Sequence, residues 1–301
     1  MAPQIRAYQM LLPLAVFLSF SCENKASPPT EKMLYVVGSQ MGILDLSSGQ
    51  DRLLFRYPDQ TLDDIEYFDQ DTILVTASGD PRGLLYVSLR TRKQKMCLPV
   101  FPIMNPKWFS SARTLVYYSV ESGQYSINAM HFENVRPQNA LRLHSWSAGA
   151  PQEIHLRYPE LARVSDSTFA FDDPSNALFV CNVESDSVTD TGLRGFRPMS
   201  FRTATNQLIC SDVQHEYLYL VDLERKAYED VGVKEFVGNL IYVKSVDGLL
   251  FLRYRRDSLI EQTDLILYRF GDNSEEIIAE KFSFTSALLL SQPYVDQYVL
   301  R

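Results

Sequence analysis

The sequence is poor in the side chains that most often carry chemistry. Its 301 residues include four cysteines, four histidines and two tryptophans. Cys97, Cys181 and Cys210 sit in apolar, strand-like runs such as Gln207-Leu208-Ile209-Cys210. Set apart from Cys22, they are odd in number and cannot all pair internally, so they read as small buried thiols rather than a disulfide framework. No metal-ligand spacing is present, and no cofactor is expected. Gly-x-Ser-x-Gly, His-Glu-x-x-His, a phosphate-binding glycine loop and a calcium loop are all missing, which removes the common local signatures of hydrolases, zinc peptidases and nucleotide enzymes. A basic excess is missing too: 29 Lys and Arg stand against 37 Asp and Glu, for a net charge of -8. That excludes a broad nucleic-acid surface. Stretches of helical period are few. What is abundant is Tyr and Phe, 17 of each, in short runs that favour strands. An apolar fraction of 46% with 22% charged residues is ordinary globular composition.

The N-terminus reads as a targeting segment. Arg6 precedes an apolar run, Met10 to Phe20, that is too short to span a bilayer as a helix. Ser19-Phe20-Ser21-Cys22 follows and resembles a bacterial lipobox, with Ser19 where such boxes usually carry Leu. The resemblance implies removal of residues 1–21 and acylation of Cys22. Residues 22–32, with Pro28-Pro29, form a polar, flexible tether. An acyl chain would hold the domain 33–301 at a membrane without crossing it.

Within 33–301 a strand-turn-strand unit recurs. Its apolar runs end at Leu46, Leu89, Trp146, Val183, Leu223 and Phe270. The intervals, roughly 43, 57, 37, 40 and 47 residues, match the period of propeller blades. A further pair of strands precedes each later hairpin, as in Thr72–Thr76, Thr114–Tyr118, Thr168–Phe171 and Leu249–Tyr254. Many of these runs are apolar almost throughout, as expected when both sheet faces are covered. The expected fold is therefore all-β: a six-bladed β-propeller of four-stranded antiparallel blades. Strands from both termini close the ring, with Phe284–Arg301 completing the blade begun by Leu34–Phe55. Leu34–Val37 and Gln297–Arg301 compete for the second position of that blade. Seven blades is the alternative count. Two stretches break the period, Glu121–Ala140 and Arg255–Asp264. Both are expected as loops between second and third strands, on the face that carries the crossings from blade to blade.

The segment Asn105-Pro106-Lys107-Trp108-Phe109-Ser110 through Thr114–Ser119 resembles the TolB-like family of six-bladed propellers of bacterial envelopes. So does Arg197-Pro198-Met199-Ser200-Phe201 through Leu208–Ser211, followed by Leu218–Leu223. The family's Ser-Pro-Asp-Gly turn has no counterpart, and the chain reads as a propeller without the α/β domain of the family's eponymous member. The resemblance implies a binding scaffold in the cell envelope, lipid-anchored in the outer membrane of a diderm bacterium, with either membrane face open.

The crossings supply the candidate site. Tyr57, Phe101, Tyr158, Phe196, Phe236 and Phe282 or Phe284 recur roughly 11 to 14 residues after the hairpin ends. Arg56, Arg157 and Arg197 lie beside them. Arg56, Tyr57, Phe101, Arg157, Tyr158, Phe196, Arg197 and Phe236 are the expected ligand-binding residues at one channel mouth. Aromatics bring contact area at low entropy cost and arginine grips carboxylates; the competing reading makes the aromatics wedges between blades. A peptide, protein or glycan partner is expected, with the chain a monomer. No catalytic residue is assigned. The alternative is a propeller hydrolase or lyase with carboxylates and His131 or His215 converging in the channel. His144 and His155 read as structural, and Asp63-Asp64 and Asp172-Asp173 as turn caps. A third reading has residues 121–140 dock onto a larger envelope assembly.

Overall fold

The computed structural model describes residues 29, 31–69, 71–80, 82–99, 102–133, 136–147, 160–212, 217–255 and 262–290. Cys22 and the tether before residue 29 lie outside them, as do Phe101, Arg157, Tyr158, His155 and His215. Six four-stranded sheets follow one another around a ring. The first holds β1 (Lys32–Val37), β2 (Gln40–Asp45) and β3 (Asp51–Arg56). The second holds β4 (Gln60–Tyr67), β5 (Thr72–Gly79), β6 (Gly83–Ser88) and β7 (Gln94–Leu98). The third is β8 (Met104–Phe109), β9 (Thr114–Glu121), β10 (Gln124–Glu133) and β11 (Arg136–Ser147). The fourth is β12 (Leu161–Arg163), β13 (Thr168–Asp172), β14 (Ala177–Asn182) and β15 (Ser187–Arg194). The fifth is β16 (Phe196–Arg202), β17 (Gln207–Asp212), β18 (Tyr217–Asp222) and β19 (Ala227–Lys234). The sixth is β20 (Phe236–Val243), β21 (Gly248–Tyr254), β22 (Thr263–Arg269) and β23 (Ser274–Ala279). The last strand, β24 (Ser286–Leu290), returns to the first blade and pairs antiparallel with β1, placing Leu34 opposite Leu288. This is the six-bladed propeller expected from the repeat.

Strand alternation explains why the runs are apolar throughout. In β1, Met33 and Tyr35 enter the seam with blade six, while Leu34 and Val36 enter the seam with blade two. In β9, Leu115 and Tyr117 face blade two, and Val116 and Tyr118 face blade four. In β21, Leu249 and Phe251 face blade five, and Leu250 and Leu252 face blade one. Each second strand is thus buried on both sides, and each buried Leu or Phe contributes about 1.5–3 kcal/mol relative to exposure. One apolar cluster fills each of the six seams.

Three expectations change. Leu141–Trp146 is part of β11, the fourth strand of its blade, and the third strand is β10. The described residues of 121–140 are consequently the end of β9, a tight turn, all of β10 and the start of β11, not a loop. The long and short intervals on either side of Trp146 come from that one-strand displacement. Position two of the closing blade belongs to Leu34–Val37 within β1, and position one to β24. Residues 297–301, the competitor for position two, lie outside the described residues. Asp63 and Asp64 sit in β4 rather than in a turn, beside a bulge between Leu62 and Asp64. Asp173, by contrast, caps its turn: its Oδ1 accepts from the Ser175 N–H at 3.0 Å and the Ala177 N–H at 3.1 Å.

Candidate functional site

The strand that follows each crossing is the innermost of its blade. Residues of β4, β8, β12, β16, β20 and β24 together line an axial cavity of about 440 Å³. Its wall is uneven. Blades two to four contribute Asp64, Glu66, Asn105, Lys107, Glu160 and Arg163. Blades five, six and one contribute neutral groups, including Met199, Leu240, Ile241, Ala287 and Leu288.

The charged side has two layers. In the one nearer the crossings, the Asn105 N–H donates to Asp64 Oδ2 at 2.9 Å, and Asn105 Nδ2 donates to Glu160 Oε2 at 2.6 Å. Asn105 reaches both because its backbone turns left-handed, at φ 47°, a region that Asn tolerates better than most residues. In the second layer, Glu66 takes both cations. Arg163 Nη2 lies 3.0 Å from Glu66 Oε1, and Lys107 Nζ lies 3.8 Å from Glu66 Oε2. Arg163 also donates to the Trp108 carbonyl and stands over the Phe109 ring, 5.0 Å from its centre.

Behind the first layer, Arg197 Nε lies 3.6 Å from Asp172 Oδ2, both side chains nearly buried. Among the described residues, Asp172 Oδ1 and the Tyr118 hydroxyl are buried without a hydrogen-bond partner. The charges of Asp172 and Arg197 act on Tyr118, and that of Glu160 acts on Asp172. Burial pushes the Asp64 carboxyl above its ordinary range, opposed by the Asn105 N–H and Lys107. Burial also raises Glu160, again against Lys107. Asp172 is pushed up to about 7 by burial, against the pull of Arg197. The arrangement is an acceptor-rich pocket in low dielectric, where carboxylates seek donors.

The expected ligand residues fall into two groups. Arg197 is buried behind the cavity, against Asp172, with its charge acting on Glu160, and does not line the cavity. Arg56 is exposed, and Tyr57 is partly buried against the seam of blades one and two. Phe196 and Phe236 are buried in the seams flanking blade five. Phe196 packs edge-on against Tyr219 at 5.6 Å. His131 is in β10, where its Nδ1 meets Thr114 Oγ1 at 2.8 Å. His144 packs on Phe171 and Phe179. Asp64, Asn105, Lys107 and Glu160 were not foreseen as site residues. The available signal was polar residues at alternate positions in the first strand after a crossing, the strand whose side chains meet the axis. Among the described residues no group of three His, Cys, Asp or Glu is placed to hold a metal ion.

Fold and channel define a six-bladed propeller with a polar axial cavity. No sequence family matches the chain, and no curated protein does either. Solved structures do match. A chain of a nidogen/laminin complex is similar at 11% identity and TM-score 0.62, covering 87% of this chain and 99% of that one. TolB from Acinetobacter baumannii is similar at 9% identity and TM-score 0.63, covering 88% of this chain and 65% of TolB. An oligogalacturonate lyase in complex with manganese is similar at 13% identity and TM-score 0.50, covering 80% and 70%. At such identities the shared property is the fold.

Proposed function

We propose that this chain is a non-catalytic binding module of the cell envelope. Cys22 carries the lipid, the residues between it and β1 are the tether, and the propeller presents the crossing-side mouth of its channel to a peptide, protein or glycan partner. The observation that carries this reading is the channel itself, an open cavity with one charged and one neutral wall. The similarity to a propeller solved in a nidogen/laminin complex and to TolB supports a partner-binding role. The buried rings of Phe196 and Phe236 set the positions of their crossings, and the neighbouring polar groups meet the partner.

The test uses the full chain in detergent. A variant combining Arg56→Ser, Arg157→Ser and Tyr158→Ser is expected to lose capture of envelope partners while its melting temperature holds. Equal capture by the variant overturns the reading. Labelling with a fatty-acid analogue is expected in the natural chain and absent in Cys22→Ser; label in both defeats the anchor.

A second reading, a hydrolase or lyase, is favoured by Asp64 and Glu160 in one cavity, bridged by Asn105. Product release from an envelope glycan or peptide that disappears in Glu160→Gln would move the assignment there.

A further inference from the structure

Strands alternate in direction within a blade, so the turns from first to second strand and from third to fourth all lie on the face away from the crossings. β1 begins on that face. The Glu31 carbonyl accepts from the Leu46 N–H at the β2–β3 turn, at 3.4 Å, and Glu31 Oε1 accepts from the Ser245 N–H at 3.1 Å. Ser245 belongs to the turn between β20 and β21. The chain therefore joins the ring at blade one, on the side opposite the crossings. In the neighbouring blade two, Arg90-Thr91-Arg92-Lys93-Gln94-Lys95 turns from β6 into β7 on the same face. It holds four cations and no acid, in a chain of net charge -8. All six residues are exposed. Among the described residues none of the four cations has an ion pair. The Arg92 guanidinium stands 5.6 Å from the centre of the Phe55 ring in β3, which holds the turn against blade one. Equivalent turns elsewhere are acidic, Glu184-Ser185-Asp186 in blade four and Gly271-Asp272-Asn273 in blade six. Asp69 and Asp71 lie axis-ward on the inner turn of blade two, where Asp69 Oδ1 accepts from the Asp71 N–H at 2.9 Å.

We infer that the Arg90–Lys95 turn docks on the anionic phospholipid headgroups of the membrane that holds the chain, so that blades one and two meet the lipid and the crossing-side mouth points away from it. Two independent observations fall on one sector of the ring: the place where the chain enters, and a run of exposed cations with no acid of their own. Clusters of Lys and Arg close to an anchor are drawn to anionic lipid, each cation adding to the attraction within a Debye length of the surface. Cys22 and Lys32 are ten positions apart, a reach of about 35 Å at full extension, which keeps this sector within range of an acyl chain at Cys22. The lipid sets the distance, and the basic turn sets which edge of the ring is down. Glu184 and Asp186 of blade four would be repelled by the same surface, so the ring tilts with that side raised. This inference rests on the reading of Cys22 as the anchor and gives that anchored domain an orientation.

The experiment adds the full chain from detergent to preformed phosphatidylcholine vesicles, with and without phosphatidylglycerol. Exposed amines are then labelled with a membrane-impermeant reagent and read by peptide mass spectrometry. Phosphatidylglycerol is expected to slow labelling of Lys93 and Lys95 about fivefold or more, the worth of one cation at an anionic surface. Lys234 and Lys281, exposed at the crossings, should label equally in both vesicles. Salt of about 1 M, where the Debye length is about 3 Å, should abolish the protection. Arg90→Gln combined with Arg92→Gln keeps both reporter lysines and is expected to return them to the phosphatidylcholine rate. Circular dichroism melts establish that this variant is folded. Equal labelling of Lys93 and Lys95 in the two vesicle types overturns the inference, as does protection of Lys234 and Lys281 in their place. Protection by inorganic phosphate without vesicles overturns it too, since the turn would then be a site for free anions. Fatty-acid labelling at Cys22 without protection of the turn sinks the orientation alone. Protection that persists in a chain taking up no fatty acid sinks the anchor alone.

Discussion

The Tyr67 hydroxyl donates to the Leu289 carbonyl at 3.1 Å, across 222 residues of sequence. It ties the innermost strand of blade two to β24, the strand that closes blade one. The Ile65 N–H adds a second tie to the same strand through Ser286 Oγ at 3.3 Å. Tyr67→Phe is expected to lower stability by about 1 kcal/mol, the net worth of one hydrogen bond. Leu288→Pro puts a proline in the middle of the β24–β1 pairing and is expected to cost several times more. Urea denaturation of the two variants checks the ranking; equal losses would mean that β24 contributes little to closure.

A second clamp joins blades five and six. Arg202 Nε donates to Asp247 Oδ1 at 2.9 Å, Nη2 meets Oδ2 at 2.5 Å, and the Tyr242 hydroxyl donates to Asp247 Oδ1 at 2.9 Å. The guanidinium also lies 4.2 Å from the centre of the Phe270 ring. The hydrogen bonds from Arg202 hold the Asp247 carboxyl below its ordinary range. A double-mutant cycle on Arg202→Ala and Asp247→Ala is expected to give a coupling of about 1–2 kcal/mol, moderated by partial exposure. A coupling near zero would reduce the pair to a surface contact.

Gly83 opens β6 at φ 136°, and a Cβ there would collide with the Leu98 carbonyl of the paired strand β7. Both the backbone angle and the space require glycine. Gly83→Ala is expected to destabilise by about 3 kcal/mol, whereas Gly271→Ala, which meets nothing nearby, should leave the melting temperature almost unchanged. Thermal melts of the pair decide it.

The Asp172 carboxyl titrates near pH 7 when folded and near 4 when unfolded. Between those values the folded chain holds more protons than the unfolded one, so stability falls as pH rises. The decline should begin above pH 4, level off above pH 7, and amount to about 4 kcal/mol at most. Asp64 and Glu160 are shifted in the same direction and steepen it. Denaturation curves at pH 5 and pH 8 test the sign, and Asp172→Asn should flatten the slope. A natural chain more stable at pH 8 than at pH 5 would contradict the burial of these groups.

Most strands were legible because a blade's second strand has no polar face to confuse the pattern, as in Leu208-Ile209-Cys210. β10 was missed for the opposite reason. It buries Ser126 and Asn128, whose side chains bond to each other and to Ser119, so a strand with satisfied polar groups looked like a loop. The apolar Leu141, Leu143 and Trp146 of the outer strand then took its place in the count. Arg197 was singled out because it adjoins a crossing aromatic, and the structure puts it behind the cavity against Asp172. Asp64 and Glu160 were passed over because adjacent carboxylates and a residue beside Pro159 look like turn chemistry. Only the ring places β4 and β12 at the axis and turns those side chains into neighbours.

The order in which the strands are made has a consequence for biogenesis. Within the propeller Lys32–Arg56 is synthesised first, and its missing neighbour, Ser286–Leu290, follows only after five further blades. Until then β1 presents a bare row of amides and carbonyls, the kind of edge that recruits other chains into aggregates. Synthesis that halts within the sixth blade would release a nearly complete but adhesive product.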